Sequence, residues 1–247
     1  MRLASASLIV TLPIKNVEGT RVLNEVVPAT LARLSSSEEH AFTLIYISTD
    51  YVFDGTAAPY SVDAKPNPVN LYGETKLAGE RAVLDDGYQG KPGQRVVLRV
   101  PVLRYGPAPK NSDSAINILV DIVNDQSGKP YTMDHYATRY PTNVLDIADF
   151  LVRLTGKHNN APKPLPPILH YSGTEPYTKY EMCLVLAKIL NVSHNHITPD
   201  AAEPLPNLGV SRPKNTQLSL DVLENLGVEI GGRDFATWWE QYLFSKA

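Results

Sequence analysis

Apolar and polar positions divide this chain into alternating helical and extended stretches. Between Lys15 and Ser36, residues Val17, Val22, Leu23, Val26, Val27, Leu31 and Leu34 recur at spacings of three and four, which predicts a helix. Pro28 lies inside it and is expected to kink it or to open a second segment. Ala41–Ser48 is a short apolar, β-rich run closed by Thr49-Asp50, and reads as a buried strand. A turn at Asp54-Gly55 and a loop from Pro59 to Asn70 lead to a helical pattern over Leu71–Leu84, ended by Gly87, Gly90 and Pro92-Gly93. Arg95–Val100 is a second buried strand, closed by Pro101.

Further helices are expected over Ser114–Asn124 and Thr142–Leu154, the latter with Asn143 and Asp146 in a looser version of a capping box. Asn159–Pro167 is a proline-rich loop, and Ile168–Tyr171 reads as a third strand. Thr178 with Glu181 is a full capping-box pattern opening a helix to Leu190. A short helix over Ser219–Leu226 stops at Gly227, and Asp234–Phe244 carries Phe235, Trp238, Trp239, Tyr242 and Leu243 as core packing. Strands alternating with helices predict an α/β protein with a mostly parallel sheet.

Composition narrows the classes. The 247 residues are 43% hydrophobic and 20% charged, ordinary values for a globular protein. A formal net charge of −3 gives no broad positive field for nucleic acid or an anionic membrane, so neither is expected as a partner. The apolar run within Leu3–Ile14 is too short to span a bilayer, and no small-residue cleavage site follows it, so a cytoplasmic location is expected. The single cysteine, Cys183, excludes an internal disulfide and a Cys-rich metal site. His194 and His196 have no third ligand nearby in the sequence, and no metal is expected.

The candidate chemistry lies on the helix that starts at Leu71. Tyr72 and Lys76 are four apart and share one face. A lysine ammonium beside a phenol favours the phenolate and suits tyrosine to proton transfer at a carbonyl. The spacing alone is weak, since the chain has 13 tyrosines and the same pattern recurs at Tyr242 and Lys246. Context separates the two. Before Tyr72 and Lys76 a strand ends at Ser48-Thr49, which puts a hydroxyl at the carboxyl end of a sheet strand, where open α/β folds bind ligands.

A strand-end hydroxyl followed by Tyr and Lys on the next helix resembles the short-chain dehydrogenase/reductase superfamily. The blocks Ile47–Gly55 (ISTDYVFDG) and Asn70–Glu80 (NLYGETKLAGE) are similar to its dTDP-4-dehydrorhamnose reductase branch. Within that branch, Leu98–Leu103, Met133-Asp134-His135, Arg139–Thr142, Thr178–Met182 and Arg212–Leu218 resemble the regulatory beta-subunit family of methionine adenosyltransferases. The resemblance runs from about Asn16 to Gly227. It implies a Rossmann-like fold with NADP as cofactor and a methionine adenosyltransferase catalytic subunit as partner. It further implies reductase-type roles for Tyr72, Lys76 and Thr49, cofactor contacts from Ser48, Tyr72, Lys76 and Arg99, and substrate or partner contacts from His135, Arg139 and Arg212.

One departure limits the carry-over. The superfamily opens with a strand, a Gly-rich turn and a helix whose N-terminus receives the cofactor pyrophosphate. No strand–turn–helix unit of that kind is found; Leu8–Leu12 reads as a remnant of the fourth strand, so the N-terminal strands are expected to be missing. The expected plan is one domain over 1–247, with a sheet-forming part at 1–108 and 140–171 and a substrate-type lobe at 109–139 and 172–247. The expected role is regulatory rather than catalytic. The rival readings are an NADPH-dependent reductase of a 4-keto nucleotide sugar, and a truncated product without function.

Overall fold

The computed structural model describes residues 16–39, 41–159, 164–204 and 211–245. The expected strand remnant at Leu8–Leu12, the apolar stretch before Ile14 and part of the 159–167 loop lie outside them. Elements follow in the order α1 (Val17–Arg21), α2 (Val27–Ser35), β1 (Thr43–Thr49), α3 (Leu71–Val83), β2 (Gln94–Val100), β3 (Arg104–Tyr105) and α4 (Ile118–Asn124). Then come β4 (Tyr131–Asp134), β5 (Thr142–Asn143), α5 (Val144–Asn159), β6 (Ile168–His170), α6 (Lys179–Leu190), β7 (Ile197–Asp200), α7 (Asp221–Leu226) and α8 (Phe235–Phe244).

The main sheet has the order β1-β2-β6 and is parallel throughout, in register from Thr43 opposite Gln94 to Thr49 opposite Val100. Parallel neighbours need a crossover, and α3 supplies it between β1 and β2. Period two then sorts β2 onto two covered faces. Val96, Leu98 and Val100 pack against Phe150 and Leu154 of α5, Leu169 and Tyr171. Val97 faces the other way with Tyr46, Ala32 and Val83, the side on which Arg99 meets α3. A fully buried Leu or Phe at such positions contributes about 1.5–3 kcal/mol.

A second core gathers α4, α6 and α8, with Leu119, Val123, Met182, Cys183, Leu186, Phe235 and Trp239 fully or almost fully buried. Tyr105 sits among Phe235, Trp238 and Trp239 with ring centroids 5.0, 5.2 and 6.0 Å away, so the terminal aromatic helix is core. Two further parallel ladders, β3 with β5 and β4 with β7, were not expected from the sequence. They are two to four residues long. Such stretches carry too few positions for alternation to register.

Local signals set most boundaries. Thr142 and Asn143, expected as helix, lie in β5, while Asn143 caps α5 as expected, its Oδ1 accepting from Leu145 N at 2.9 Å. Asp146, its expected reciprocal partner, instead holds Arg233 through both its backbone N–H and its guanidinium. Pro28 stands in the first turn of α2, which opens at Val27, so a second segment begins there as expected. Val22–Val26 forms a π turn between α1 and α2, and the helical path continues past the proline. Pro28 has no N–H to give Asn24, and the Asn24 carbonyl accepts from the Tyr46 hydroxyl at 2.9 Å instead. Gly79 of α3 lies against this junction, and a Cβ there would run into the Asn24 carbonyl and the Tyr46 hydroxyl. Among the described residues, no helix is long and apolar enough to cross a membrane.

Candidate functional site

The carboxyl end of β1 opens into a cavity of about 350 Å³. Its lining includes Tyr51, Asn70 and Tyr72 beside β1 and α3, Val102, Leu103, Ser114 and Ile118, and Asp134, Arg139, Lys179 and Arg212 from farther along the chain. Three loops are tied together to form it. Asp50, fully buried, accepts from Val102 N at 2.8 Å and from the Thr216 hydroxyl at 2.6 Å. Asn70 caps α3 by accepting from Gly73 N at 2.9 Å, and its side-chain amide donates to the Ser211 carbonyl at 3.0 Å. Gly73 lets the first turn of α3 press on the Tyr51 carbonyl, where a Cβ would collide. This brings the rings of Tyr51 and Tyr72 edge to face at 6.2 Å.

The floor is cationic. Arg139 is 3% exposed and stacks over Tyr51 at 5.6 Å. Its Nη1 donates to the carbonyls of Thr138 at 2.8 Å and Lys214 at 3.3 Å, while its buried Nη2 has no partner. Burial pushes the Lys179 ammonium below its ordinary pKa, and the charges of Arg212 and Arg139 add to that while Asp134 opposes it. Arg139, Lys179 and Arg212 thus share the cavity lining with Asp113 and Asp134, so charges of both signs border the same space.

The sequence-selected residues divide between this cavity and the core behind it. Tyr72, Arg139 and Arg212 line the cavity. Thr49 is not part of the lining; it is buried behind Tyr51, donating to Asp50 Oδ1 at 3.0 Å and accepting from Tyr51 N at 3.2 Å. Burial raises the Tyr72 phenol, and the positive charge of Arg104 and a hydrogen bond with Thr49 only partly offset it. Lys76 directs its ammonium elsewhere: Nζ donates to the Ile47 carbonyl at 2.6 Å and lies 4.1 Å from the Tyr46 ring centre. Burial, reinforced by Arg104, brings the Lys76 pKa down to about 7.

Ser48 and Arg99 lie deeper. The Ser48 hydroxyl donates to Glu80, and Arg99 makes a two-pronged pair with the same carboxylate, Nη2–Oε2 at 2.7 Å and Nε–Oε1 at 3.0 Å. His170 completes the cluster 3.4 Å from Arg99 Nη1, held neutral with a pKa near 3 by burial and by the Arg99 charge. His135 pairs with the Thr178 hydroxyl at 2.9 Å and packs on Tyr180. Sequence reasoning did not single out Lys179, Asp134, Tyr51 or Arg104. Lys179 had a local signal, since it directly follows the capping residue Thr178 at the start of α6. Arg104 had none, and its effect on Tyr72 and Lys76 exists only in three dimensions.

The model of the RmlD substrate binding domain matches residues 15–240 of the chain. The chain belongs to that family. Among curated relatives it is 44% identical over 211 residues to methionine adenosyltransferase 2 subunit beta of Xenopus tropicalis, covering 85% of this chain and 60% of that protein. It is 38% identical to the Danio rerio protein of the same name, covering 90% and 64%. It is 29% identical to a dTDP-4-keto-6-deoxy-D-glucose reductase of Streptomyces niveus, covering 77% and 60%. The chain thus spans about 60% of the length of these relatives. Among solved structures, dTDP-4-dehydrorhamnose reductase of Bacillus anthracis in complex with NADP superposes with a TM-score of 0.74 at 21% identity, covering 94% of this chain and 74% of that one. At that identity the match establishes the RmlD-type, Rossmann-like fold.

NADP in that relative raises the question of fit here. Gly87, Gly90 and Gly93 do have the G-x-x-G-x-x-G spacing, but they run from α3 into β2 rather than from a strand into a helix. A helix N-terminus behind the glycines is what a pyrophosphate needs, and this run has none. Ser48 and Arg99 are held by Glu80, and Lys76 by a backbone carbonyl. Among the described residues, those present do not fit the dinucleotide.

Proposed function

We propose that this chain acts as a non-catalytic, regulatory subunit-type protein that binds a methionine adenosyltransferase catalytic subunit and so bears on S-adenosylmethionine formation. The observation that supports this most is the engagement of Lys76 with the Ile47 carbonyl beneath a Tyr72 phenol whose pKa is raised. A reductase needs the opposite, a tyrosine readied for proton transfer. Identity of 44% with subunit beta against 29% with the reductase points the same way. On this reading, residues 109–139 and 172–247 form a lobe, the cavity between it and the β1–α3 end of the sheet takes an anionic, phosphate-bearing effector on Arg139, Lys179 and Arg212, and the protein is cytoplasmic. The test is co-purification with a methionine adenosyltransferase catalytic subunit, with its S-adenosylmethionine output measured with and without this chain. Failure to associate, together with NADPH oxidation on dTDP-4-dehydrorhamnose that Tyr72→Phe abolishes, would replace the regulatory reading by the reductase one.

A further inference from the structure

Successive residues of a parallel strand turn their main-chain groups to alternate sides. Gln94 N donates to the Phe42 carbonyl at 3.3 Å, which fixes the sense of that alternation along β1. Leu44, Tyr46 and Ser48 therefore face β2 with their main-chain groups, and Thr43, Ile45 and Ile47 face the other way. Among the described residues no strand pairs with that second edge, since the sheet order is β1-β2-β6. Exposed edges are ordinarily blunted by charge, proline or a bulge. From Ala41 to Thr49 the chain has no charged residue, proline or glycine. A guard comes instead from α3: Lys76 Nζ donates to the Ile47 carbonyl at 2.6 Å and so occupies the carboxyl end of the edge. The amino end is open, with Thr43 exposed, Leu44 and Ile45 half-buried, and Phe42 just before them 40% exposed.

An uncharged edge of aliphatic and aromatic residues is complementary to a copy of itself laid antiparallel, and a two-fold axis supplies that arrangement. Lys76 selects the register. With the axis at Tyr46, the Ile45 N–H would need the second copy's Ile47 carbonyl, which Lys76 already claims. With the axis at Ile45, the N–H and carbonyl of Ile45 bond reciprocally to those of the second Ile45. Each Ile47 N–H then meets the opposite Thr43 carbonyl, and Leu44 faces Tyr46 across the junction. Ile45 and Ile47 already pack on the core of Leu98, Phe150 and Leu169 while keeping part of their surface open, so the contact continues that core across the axis. We propose that the open edge of β1 is where a second copy of this chain docks, antiparallel about Ile45, which joins the two sheets into one.

Amide hydrogen exchange read residue by residue separates a second copy from any other occupant. In the full-length chain, the Ile45 and Ile47 amides should gain protection of about tenfold or more as concentration rises, in step with a dimer in sedimentation equilibrium. Thr43→Lys, at an exposed position, should abolish both with an unchanged circular dichroism spectrum. Ile45→Pro deletes the N–H at the axis without removing a bond to β2, and should do the same. Exchange at Ile45 and Ile47 that is independent of concentration, whether fast or slow, overturns the proposal, because the edge is then either bare or covered by the same chain. A dimer that survives both substitutions overturns it as well.

Discussion

Two clusters of charged and hydroxyl side chains flank α3, and they differ in one respect. Around Glu80, near the end of the helix, every strong donor has an acceptor: Arg99 and Ser48 reach the carboxylate, and His170 closes the group. Around Tyr72, at the start of the helix, Arg139 keeps a buried nitrogen without a partner, and Lys179 and Arg212 crowd the same cavity. Residue type does not distinguish the clusters, since each has an arginine and a hydroxyl of the kind that binds ligands elsewhere. Satisfaction does. A saturated buried network fixes the packing of β1, β2 and α3, whereas the second cluster keeps one buried donor unmet beside a cavity.

The contrast can be broken most forcefully at Glu80. Glu80→Ala leaves the Arg99 guanidinium buried without a counter-charge, and should cost about 3–5 kcal/mol in urea unfolding at an unchanged slope. A loss below about 1 kcal/mol would show that the network is not structural. Lys76 offers the next largest effect. The folded chain releases its proton near pH 7 and the unfolded chain near 10.5, so between these values the unfolded state binds more protons and stability rises with pH. The slope is up to about 1.4 kcal/mol per pH unit. Lys76→Met should be more stable than the parent at pH 7 and should lose this slope in a pH series of unfolding curves. His170 works in the same direction lower down: its proton is disfavoured in the fold, so stability falls as pH drops from about 6.5 towards 3.

Arg212→Ala sharpens the other side of the contrast. Arg212 is exposed at the cavity, so its loss should leave the thermal midpoint unmoved and weaken pyrophosphate binding in calorimetry about tenfold, or about 1.4 kcal/mol. A midpoint that falls without any change in affinity would move Arg212 into the structural class. The smallest effect is expected from Tyr72→Phe, which removes one hydroxyl and its hydrogen bond with Thr49. It should cost about 1 kcal/mol in stability and nothing in binding to a methionine adenosyltransferase catalytic subunit.

How far the sequence could be read depended on the range of the interaction involved. Thr178 and Glu181 announced the start of α6, and both halves of the capping box form, with Glu181 Oε2 accepting from Thr178 N at 2.7 Å. Gly227 ends α7 in the left-handed conformation that its place after the apolar pattern suggested. β1, β2 and β6 fall within one to two residues of their apolar runs. Each of these rests on neighbours a few positions apart. The short ladder of β4 with β7 and the effect of Arg104 on Tyr72 and Lys76 rest on segments far apart in the chain, and no local pattern encodes them.

The sequence by itself determined the alternating α/β order, the capping box that opens α6 and the identity of the residues that could carry chemistry. It placed Tyr72 and Lys76 on one helix and Thr49 at the end of the preceding strand. Only the tertiary structure decided which of these groups remain available. Helix periodicity fixes the face on which a side chain stands, but its hydrogen-bond partner is set by whatever packs against that face. The Ile47 carbonyl claims Lys76, Glu80 claims Ser48 and Arg99, and one buried Arg139 nitrogen is left without a partner.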